Sequence, residues 1–191
     1  MFKLFFIVFS LWVSTDSLPP KGVDFEDKSL LKELQRASGM ESNEWKDLSV
    51  PESKLDPNSI QGKFLVLTTA SQGRKQYAYV GRVNSCRQGG CSNPVATLSI
   101  ETPEYFDYLI VFDSKPSVQL VKVFNYQATH GQEISVKGWL KQFQGYDGSQ
   151  SLSVGKDIDA ISGATVSVIG ISNDIQEKTR LLKKICQPGK N

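Results

Sequence analysis

Short apolar and aromatic runs dominate the chain from residue 62 onward, and their composition is typical of β-strands. We predict strands at residues 64–67, 77–83, 105–112 and 118–126. Because neighbouring runs are not joined by helix-length spacers, we expect mostly antiparallel pairing.

Apolar residues at helical spacing predict a long amphipathic helix at residues 166–186, near the end of the chain. Its last turn carries Lys183 and Lys184, and cations favour the negative end of the helix dipole. A shorter helix is expected to be capped by Ser135, to carry Trp139 among its apolar residues, and to end at Gly145.

A further short helix is predicted after Asp27, a residue type that caps helix N-termini, and Gly39 is expected to end it. The polar, turn-rich residues that follow are interpreted as a connection or a packing extension. Together these patterns predict an α+β fold. Its sheet is mostly antiparallel, with the C-terminal helix packed on it and a short helix earlier in the chain.

The first residues have the order of a secretory signal. Lys3 precedes an apolar run at residues 4–13, and small and polar residues follow. The run is shorter than the roughly 20 residues needed to cross a bilayer. We therefore predict a signal peptide at residues 1–17 and an exported, periplasmic or cell-envelope protein, tethered to the membrane if the signal is retained. The alternative is a buried N-terminal helix.

Charge and composition exclude several classes of protein. Twenty-two Lys and Arg residues face 20 Asp and Glu residues, so the net charge is only +2. A nucleic acid is not an expected partner, because phosphate binding favours a clear surplus of cations. One histidine and three cysteines are too few for a Cys/His-rich zinc module, and no metal site is predicted.

One short motif carries most of the functional information. Residues 159–165 (DAISGAT) end a polar loop and open the predicted C-terminal helix. Gly163 and Ala164 leave room for a bulky group near the backbone, and the first helical turn has unpaired N–H groups that suit a phosphate. A hydroxyl there is a candidate phosphoester acceptor. The simpler alternative is that Ser162 or Thr165 is an ordinary helix cap.

In its wider context the motif resembles the flavinylation motif of the FMN-binding domain family. That family includes flavin-carrying subunits of the sodium-pumping quinone reductase and of the Rnf complex. Two further segments resemble family patterns in the expected order: Thr129-His130-Gly131, and the stretch at residues 139–145 that begins with Trp139. The likeness defines an N-terminal extension at residues 18–60 and an FMN-binding domain at residues 61–186.

The resemblance implies a specific cofactor chemistry. Thr165 would carry FMN through a phosphoester bond made by a separate exported flavin transferase, which uses FAD and a divalent metal such as magnesium. The phosphate and ribityl chain would be lined by four residues of the motif: Asp159, Ser162, Gly163 and Ala164. Thr129, Gly131 and Trp139 would lie near the flavin.

The chain also departs from the family pattern. His130 replaces a usual proline, and Ala128 replaces a common acidic residue. The His130 imidazole is either a flavin contact or proton relay, or an ordinary loop residue with one backbone contact. Trp139 and Tyr126 either stack on the flavin or belong to the core.

The cysteines leave several interpretations open. Cys86 and Cys91 flank a Gly-Gly turn and are a possible disulfide in an oxidising compartment. A redox-active pair is the alternative, and metal binding is disfavoured because only two ligands are local. Cys186 is left over near the C-terminus and is either free or buried.

These observations predict an exported flavoprotein that transfers electrons with a redox partner protein of the cell envelope. One alternative is an exported binding module without flavin. Another is a small flavin-dependent reductase, although no G-x-G-x-x-G nicotinamide fingerprint follows a predicted strand. Intrinsic enzymatic activity is therefore left open, with an electron carrier favoured over a stand-alone oxidoreductase.

Overall fold

The computed structural model describes residues 22–38, 45–50, 62–68, 75–84 and 104–186. Within these residues the chain forms a five-stranded sheet whose strands lie in chain order and pair antiparallel with their neighbours. The strands are β1 (Lys46–Asp47), β2 (Gly62–Thr68), β3 (Lys75–Asn84), β4 (Tyr105–Phe112) and β5 (Val118–Tyr126).

Three helices accompany the sheet in the described part of the chain. They are α1 (Lys28–Ser38), α2 (Lys137–Leu140) and α3 (Thr165–Cys186). Two short 3-10 helices, Gln132–Ser135 and Lys141–Phe143, flank α2. The predicted α+β class, the antiparallel sheet and the C-terminal helix are therefore confirmed.

The two long helices pack on opposite faces of the sheet. Apolar residues of α3, including Val168, Ile171 and Ile175, pack in one cluster with alternate side chains of β2 to β5. Leu30 and Leu34 of α1 pack in a second cluster with the side chains that point the other way. Because strand side chains alternate between faces, the sheet is covered on both sides.

Two facing glycines let an aromatic ring lie flat on the sheet beneath α3. Gly62 of β2 is paired with Gly81 of β3, and the ring of Tyr79 covers both. A Cβ atom on Gly81 would collide with that ring, and one on Gly62 would collide with the backbone of β3. Glycine weakens a strand interior, but at these two positions it allows the close packing of the Tyr79 ring against the sheet.

The four strand predictions are confirmed, each within a few residues of the observed bounds. The C-terminal helix starts one residue earlier than predicted, at Thr165. Asp27 caps α1 as expected: its Oδ1 accepts hydrogen bonds from the Ser29 and Leu30 amides, at 2.8 and 3.0 Å.

One local prediction was wrong. Ser135 does not cap the short helix, because residues 132–135 form a 3-10 helix and α2 starts only after Val136, without a side-chain cap. The polar stretch interpreted as a connection or a packing extension also contains β1, a two-residue strand at the edge of the sheet that was not predicted. So short a strand, with both residues exposed, has no apolar alternation by which to recognise it.

Several predictions concern residues outside the described ranges. These are the signal peptide at residues 1–17, the end of the first helix at Gly39, and the pairing of Cys86 with Cys91. Among the helices that the structure describes, none combines the length and the apolar character needed to cross a bilayer.

Candidate functional site

The motif at residues 159–165 forms an exposed loop that turns into α3. Ile161, Ser162 and Gly163 form a turn closed by the Ala164 amide, which donates to the Ile161 carbonyl at 3.1 Å. Gly163 has a φ of +81°, a backbone conformation that glycine adopts at little cost, and the space around its Cα is open. Thr165 follows as the first residue of α3, with its side chain exposed.

The first turn of α3 has no side-chain cap. The first amide to bond within the helix is that of Val168, which donates to the Ala164 carbonyl at 2.9 Å. The amides of residues 165–167 make no hydrogen bond to any described residue, and neither do the hydroxyls of Ser162 and Thr165. The ordinary-cap interpretation of these hydroxyls therefore has no support, and the turn presents unpaired donors at the positive end of the helix dipole.

Two side chains of the preceding short helices hold the start of the motif loop. Trp139 Nε1 donates to the Asp159 carbonyl at 2.9 Å, and the Asp159 amide donates to Gln142 Oε1 at 2.8 Å. Gln142 Nε2 in turn donates to the Trp139 carbonyl at 3.2 Å. Both polar groups of the Asp159 backbone are thus fixed, while its carboxylate is exposed.

A second loop, residues 127–131, lies against the first turn of α3. Tyr126 Oη donates to the His130 carbonyl at 2.6 Å and lies 3.0 Å from Ser167 Oγ. Gly131 has a φ of +91°, and a Cβ there would lie 2.8 Å from both of these hydroxyl oxygens. Only glycine therefore fits this contact between the loop and the helix.

Thr129 in that loop is held by the side chain of a residue next to the neighbouring strand, β4. Its amide donates to Glu104 Oε1 at 3.1 Å, and its hydroxyl donates to the same carboxylate oxygen. Glu104 directly precedes β4, so the strand positions the loop. The structure thus brings residues 129–131, Trp139 and residues 159–165 together around the start of α3.

Comparison with known proteins agrees with this arrangement. Residues 95–178 match the FMN-binding domain family. This part of the chain is similar to an FMN-binding domain. The matched span contains β4, β5, α2, the motif loop and most of α3, with residues 95–103 outside the described ranges. No curated protein and no solved structure matches the chain.

The match supports FMN as the cofactor. The residues of this chain fit such a group. An exposed hydroxyl, three amides without a partner in the described part of the chain, and the open space at Gly163 lie within one short segment. Unpaired amides at a helix start suit the phosphate of FMN.

The two aromatic residues considered as flavin contacts both have partners within the FMN-binding domain. Tyr126 stacks on Phe106, with ring centroids 5.5 Å apart and an interplanar angle of 7°. Burial raises the pKa of Tyr126, against the effect of its hydrogen bond with Ser167. Trp139 packs edge-on against Phe143 at 5.5 Å and is only 9% exposed. Both rings therefore contact core residues, and their polar atoms bond the two loops.

The only histidine of the chain lies at the rim of this region. The His130 side chain is exposed and makes no hydrogen bond to a described residue, while its carbonyl accepts the bond from Tyr126. This hydrogen bond is the one backbone contact expected if His130 is an ordinary loop residue. Its imidazole remains accessible from solvent.

Cys186 lies at the far end of α3. It is half-buried and free of disulfide bonding. Its hydrogen bond with Tyr77, together with burial, raises the pKa of that tyrosine to about 12. Cys186 is thus separated from the motif by the length of the helix, about 30 Å at the usual rise.

Sequence reasoning missed two residues that position the domain's loops. Gln142 lies within a segment that resembles the family pattern, but nothing local indicates that it binds Asp159. Glu104 precedes a predicted strand and carries no motif. Both contacts join residues far apart in the chain, 17 and 25 positions.

Proposed function

We propose that FMN is attached covalently to Thr165 through a phosphoester bond, and that the protein carries electrons outside the cytoplasm. The observation that supports attachment is the state of the Thr165 hydroxyl. It lies on the first residue of a 22-residue helix, exposed, and without a hydrogen bond to any described residue. A side chain that neither packs nor caps is available for modification.

Thr165 serves as the acceptor and a separate enzyme makes the bond. The threonine Oγ1 attacks the FMN phosphorus of FAD, the P–O–P bond breaks, AMP leaves, and the hydroxyl proton passes to the transferase. The transferase supplies the magnesium site. Exposure of residues 162, 163 and 165 lets an external active site reach the hydroxyl.

The surrounding residues divide the tasks of holding and orienting the cofactor. The free amides of residues 165–167 would bind the phosphate, and Ser162 would add a hydroxyl. Gly163 and Ala164 would leave room for the ribityl chain. Asp159, fixed by Trp139 and Gln142, would set the direction in which the motif loop leaves the short helices. Thr129, His130 and Gly131 would border the opposite side.

FMN supplies one- and two-electron redox chemistry when it is bound. A covalent bond suits an exported carrier, because a cofactor lost outside the cytoplasm is hard to replace. The predicted signal at residues 1–17 supports that location, and the redox partner is expected to be a protein of the cell envelope. Detection of the mature N-terminus near residues 14–17 in the periplasmic fraction would test the location.

Intact mass measurement tests the attachment. The full chain is produced with and without a co-expressed flavin transferase, and its mass should rise by one FMN less one water only in the presence of the enzyme. Thr165→Ala should abolish the rise. Thr68→Ala is the matched control, because Thr68 is another exposed threonine, at the end of β2.

Flavin absorbance that remains after denaturation and desalting provides the second readout. An unchanged mass for the unmodified chain with an active transferase would contradict the proposal, as would full modification of Thr165→Ala. Reversible flavin binding without a mass change would support FMN as the cofactor and contradict its covalent attachment.

A further inference from the structure

The hydroxyl of Tyr126 joins the two segments that meet at the start of α3. It lies 2.6 Å from the His130 carbonyl, in the loop at residues 127–131, and 3.0 Å from Ser167 Oγ, in the first turn of the helix. Ser167 is buried, and its amide has no partner in the described part of the chain. One atom of Tyr126 therefore contacts both the loop and a residue of the turn that follows the motif.

The number of available protons fixes the direction of these two hydrogen bonds. Tyr126 has a single hydroxyl proton, and because a carbonyl oxygen can only accept, that proton is donated to His130. Ser167 must then donate its own hydroxyl proton to a lone pair of Tyr126 Oη. The bonds therefore run in one direction, from Ser167 through Tyr126 to the backbone of residue 130.

The ring that carries this hydroxyl is itself held in place. It stacks on Phe106 of β4, which is fully buried, with ring centroids 5.5 Å apart and an interplanar angle of 7°. Because the sheet fixes the ring, the hydroxyl is a fixed point for both the loop and α3. The contact is close: a Cβ on Gly131 would lie 2.8 Å from Tyr126 Oη and from Ser167 Oγ. The loop therefore has no room to move closer to the helix.

Two different side chains restrain the two halves of the loop. Glu104, next to β4, accepts the Thr129 amide at 3.1 Å and so holds the first half. Tyr126 holds the second half, since its bond ends on the His130 carbonyl, directly before the glycine that contacts α3. Loss of the Tyr126 hydroxyl should therefore loosen the part of the loop that lies against the helix.

We propose that Tyr126 is a positioning residue of the flavin site. Through its hydroxyl it holds the loop at residues 127–131 against the first turn of α3, and the loop in that position covers one side of the flavin. Tyr126 acts through His130 and Ser167 and does not itself contact the cofactor. This inference rests on the proposed function, because it needs FMN at the start of α3, whether the flavin is attached covalently or bound reversibly.

A matched pair of variants isolates the hydroxyl. Tyr126→Phe removes it and keeps the ring that stacks on Phe106. Tyr146→Phe is the control, because Tyr146 Oη also donates to a backbone carbonyl, that of Gln150, at 2.9 Å. The control bond lies in a different loop, which contacts α3 at Arg180. The two variants thus make the same chemical change at two separate places along the helix.

Hydrogen exchange of the full chain without flavin measures the loop. In Tyr126→Phe the amides of residues 127–131 should exchange about fivefold faster, which is the effect of losing one hydrogen bond of ordinary strength. Tyr146→Phe should leave the exchange of these amides unchanged. Ser167→Ala should have a smaller effect than Tyr126→Phe, because the bond from Tyr126 to the His130 carbonyl remains.

Iodide quenching of flavin fluorescence measures the cofactor in the loaded protein. The quenching constant of Tyr126→Phe should rise at least about twofold, because a loop that opens more often covers the flavin less. Tyr146→Phe should have the quenching constant of the unmodified chain. A tyrosine with only a structural role would lower the free energy of unfolding and leave this constant unchanged.

Three results would overturn the proposal. Unchanged exchange of the loop amides in Tyr126→Phe would mean that the hydroxyl does not hold the loop. Faster exchange with an unchanged quenching constant would mean that the loop does not cover the flavin. Equal changes in Tyr126→Phe and Tyr146→Phe would show a general effect of losing a tyrosine hydroxyl.

Failure of the proposed function is recognised separately, on the unmodified chain. A chain that gains no mass but binds FMN reversibly would contradict covalent attachment, and both measurements on Tyr126→Phe could still be made. A chain that binds no FMN in either way would contradict the proposed function and this inference together, before any variant is compared.

Discussion

The two long helices of this protein begin in opposite ways. At α1, Asp27 accepts bonds from the Ser29 and Leu30 amides and from the Ser29 hydroxyl. At α3, Ala164 occupies the capping position and has no polar side-chain atom, so the following amides remain unpaired among the described residues. A cap contributes about 1 kcal/mol to helix stability. α3 lacks this contribution at the point where the motif of residues 159–165 leads into it.

The difference shows how a helix can leave its N-terminus free for a ligand. α1 has only 11 residues, and a short helix is marginal by itself, so its cap matters. α3 is twice as long, and its middle turns are anchored by apolar packing and by a buried polar cluster. In that cluster Lys178 lies 3.0 Å from Asp174, and Tyr108 donates a hydrogen bond to the same carboxylate.

The largest loss of stability is expected from Lys178→Met, which removes the cation of this buried polar cluster. The Lys178 side chain is 0% exposed and pairs with Asp174 and Glu177. Its loss leaves a largely buried carboxylate without its cation, so the free energy of unfolding should fall by about 3 kcal/mol. Denaturant unfolding measures this. Lys156→Met, at an exposed position without an ion pair among the described residues, should change stability little.

The pH dependence of the same variant provides a second test. Burial raises the pKa of Asp174, and Lys178 and Tyr108 oppose the rise. Removing Lys178 should raise the pKa further. A carboxyl whose folded pKa is raised favours the folded state below its unfolded pKa and loses that contribution as the pH rises. The difference in free energy of unfolding between the unmodified chain and Lys178→Met should therefore become smaller as the pH falls. A difference that does not change with pH would contradict the loss of a cation partner from Asp174.

The next largest loss of stability is expected from Gly131→Ala, where the loop at residues 127–131 contacts the start of α3. Both Gly131 and Gly163 have positive φ, so alanine at either position costs about 1–2 kcal/mol for the backbone alone. Only at Gly131 does the new Cβ also meet Tyr126 Oη and Ser167 Oγ, whereas the space at Gly163 is open. Gly131→Ala should therefore destabilise the protein more than Gly163→Ala does.

This pair of variants also separates loop packing from the motif itself. If the loop at residues 127–131 borders the cofactor, Gly131→Ala should slow FMN attachment even in the fraction that remains folded. The rate of mass gain with a flavin transferase measures this. Equal destabilisation by the two alanines would show that the close contact at Gly131 does not constrain the loop.

The same regions explain what the sequence could and could not predict. The strands and α3 were predictable because alternation and helical spacing are local patterns. The place of Thr165 at the start of α3 was predictable because the motif lies directly before a helical pattern. The bonds from Gln142 to Asp159 and from Glu104 to Thr129 depend on how distant segments pack, so no local pattern encodes them. The absence of a cap on α3 likewise required the geometry, since both Ser162 and Thr165 are residue types that can cap.

A smaller effect is expected from uncapping α1. Burial of Asp27 opposes ionisation, but bonds from Leu30 and Ser29 overcome it and hold the pKa of this carboxyl below its usual value. Asp27→Ala should lower the free energy of unfolding by about 1 kcal/mol at neutral pH. Denaturant unfolding measures this. Asp24→Ala, at an exposed carboxylate that accepts only the Glu26 amide, is the control and should have less effect.

The sign of the pH dependence at Asp27 is opposite to that at Asp174. A depressed pKa contributes stability above the unfolded value, near 3.9 for aspartate, and that contribution is lost as the pH falls through the folded value. The difference between the unmodified chain and Asp27→Ala should therefore shrink below about pH 4. A difference that grew on acidification would contradict a cap formed by the ionised carboxylate.

The smallest change in stability, and the most direct test of the comparison, is expected when α3 is given a cap. Ala164→Ser places a hydroxyl where it can accept a bond from the Val166 or Ser167 amide. The gain is offset by burial of the hydroxyl, because Ala164 is only 2% exposed, so stability should change by less than about 0.5 kcal/mol. The capped amides would no longer be available to the phosphate, and FMN attachment should slow. Ala160→Ser, which adds a hydroxyl to the exposed loop outside the helix, should attach FMN normally. Attachment at an unchanged rate in Ala164→Ser would mean that the open N-terminus of α3 does not serve the cofactor.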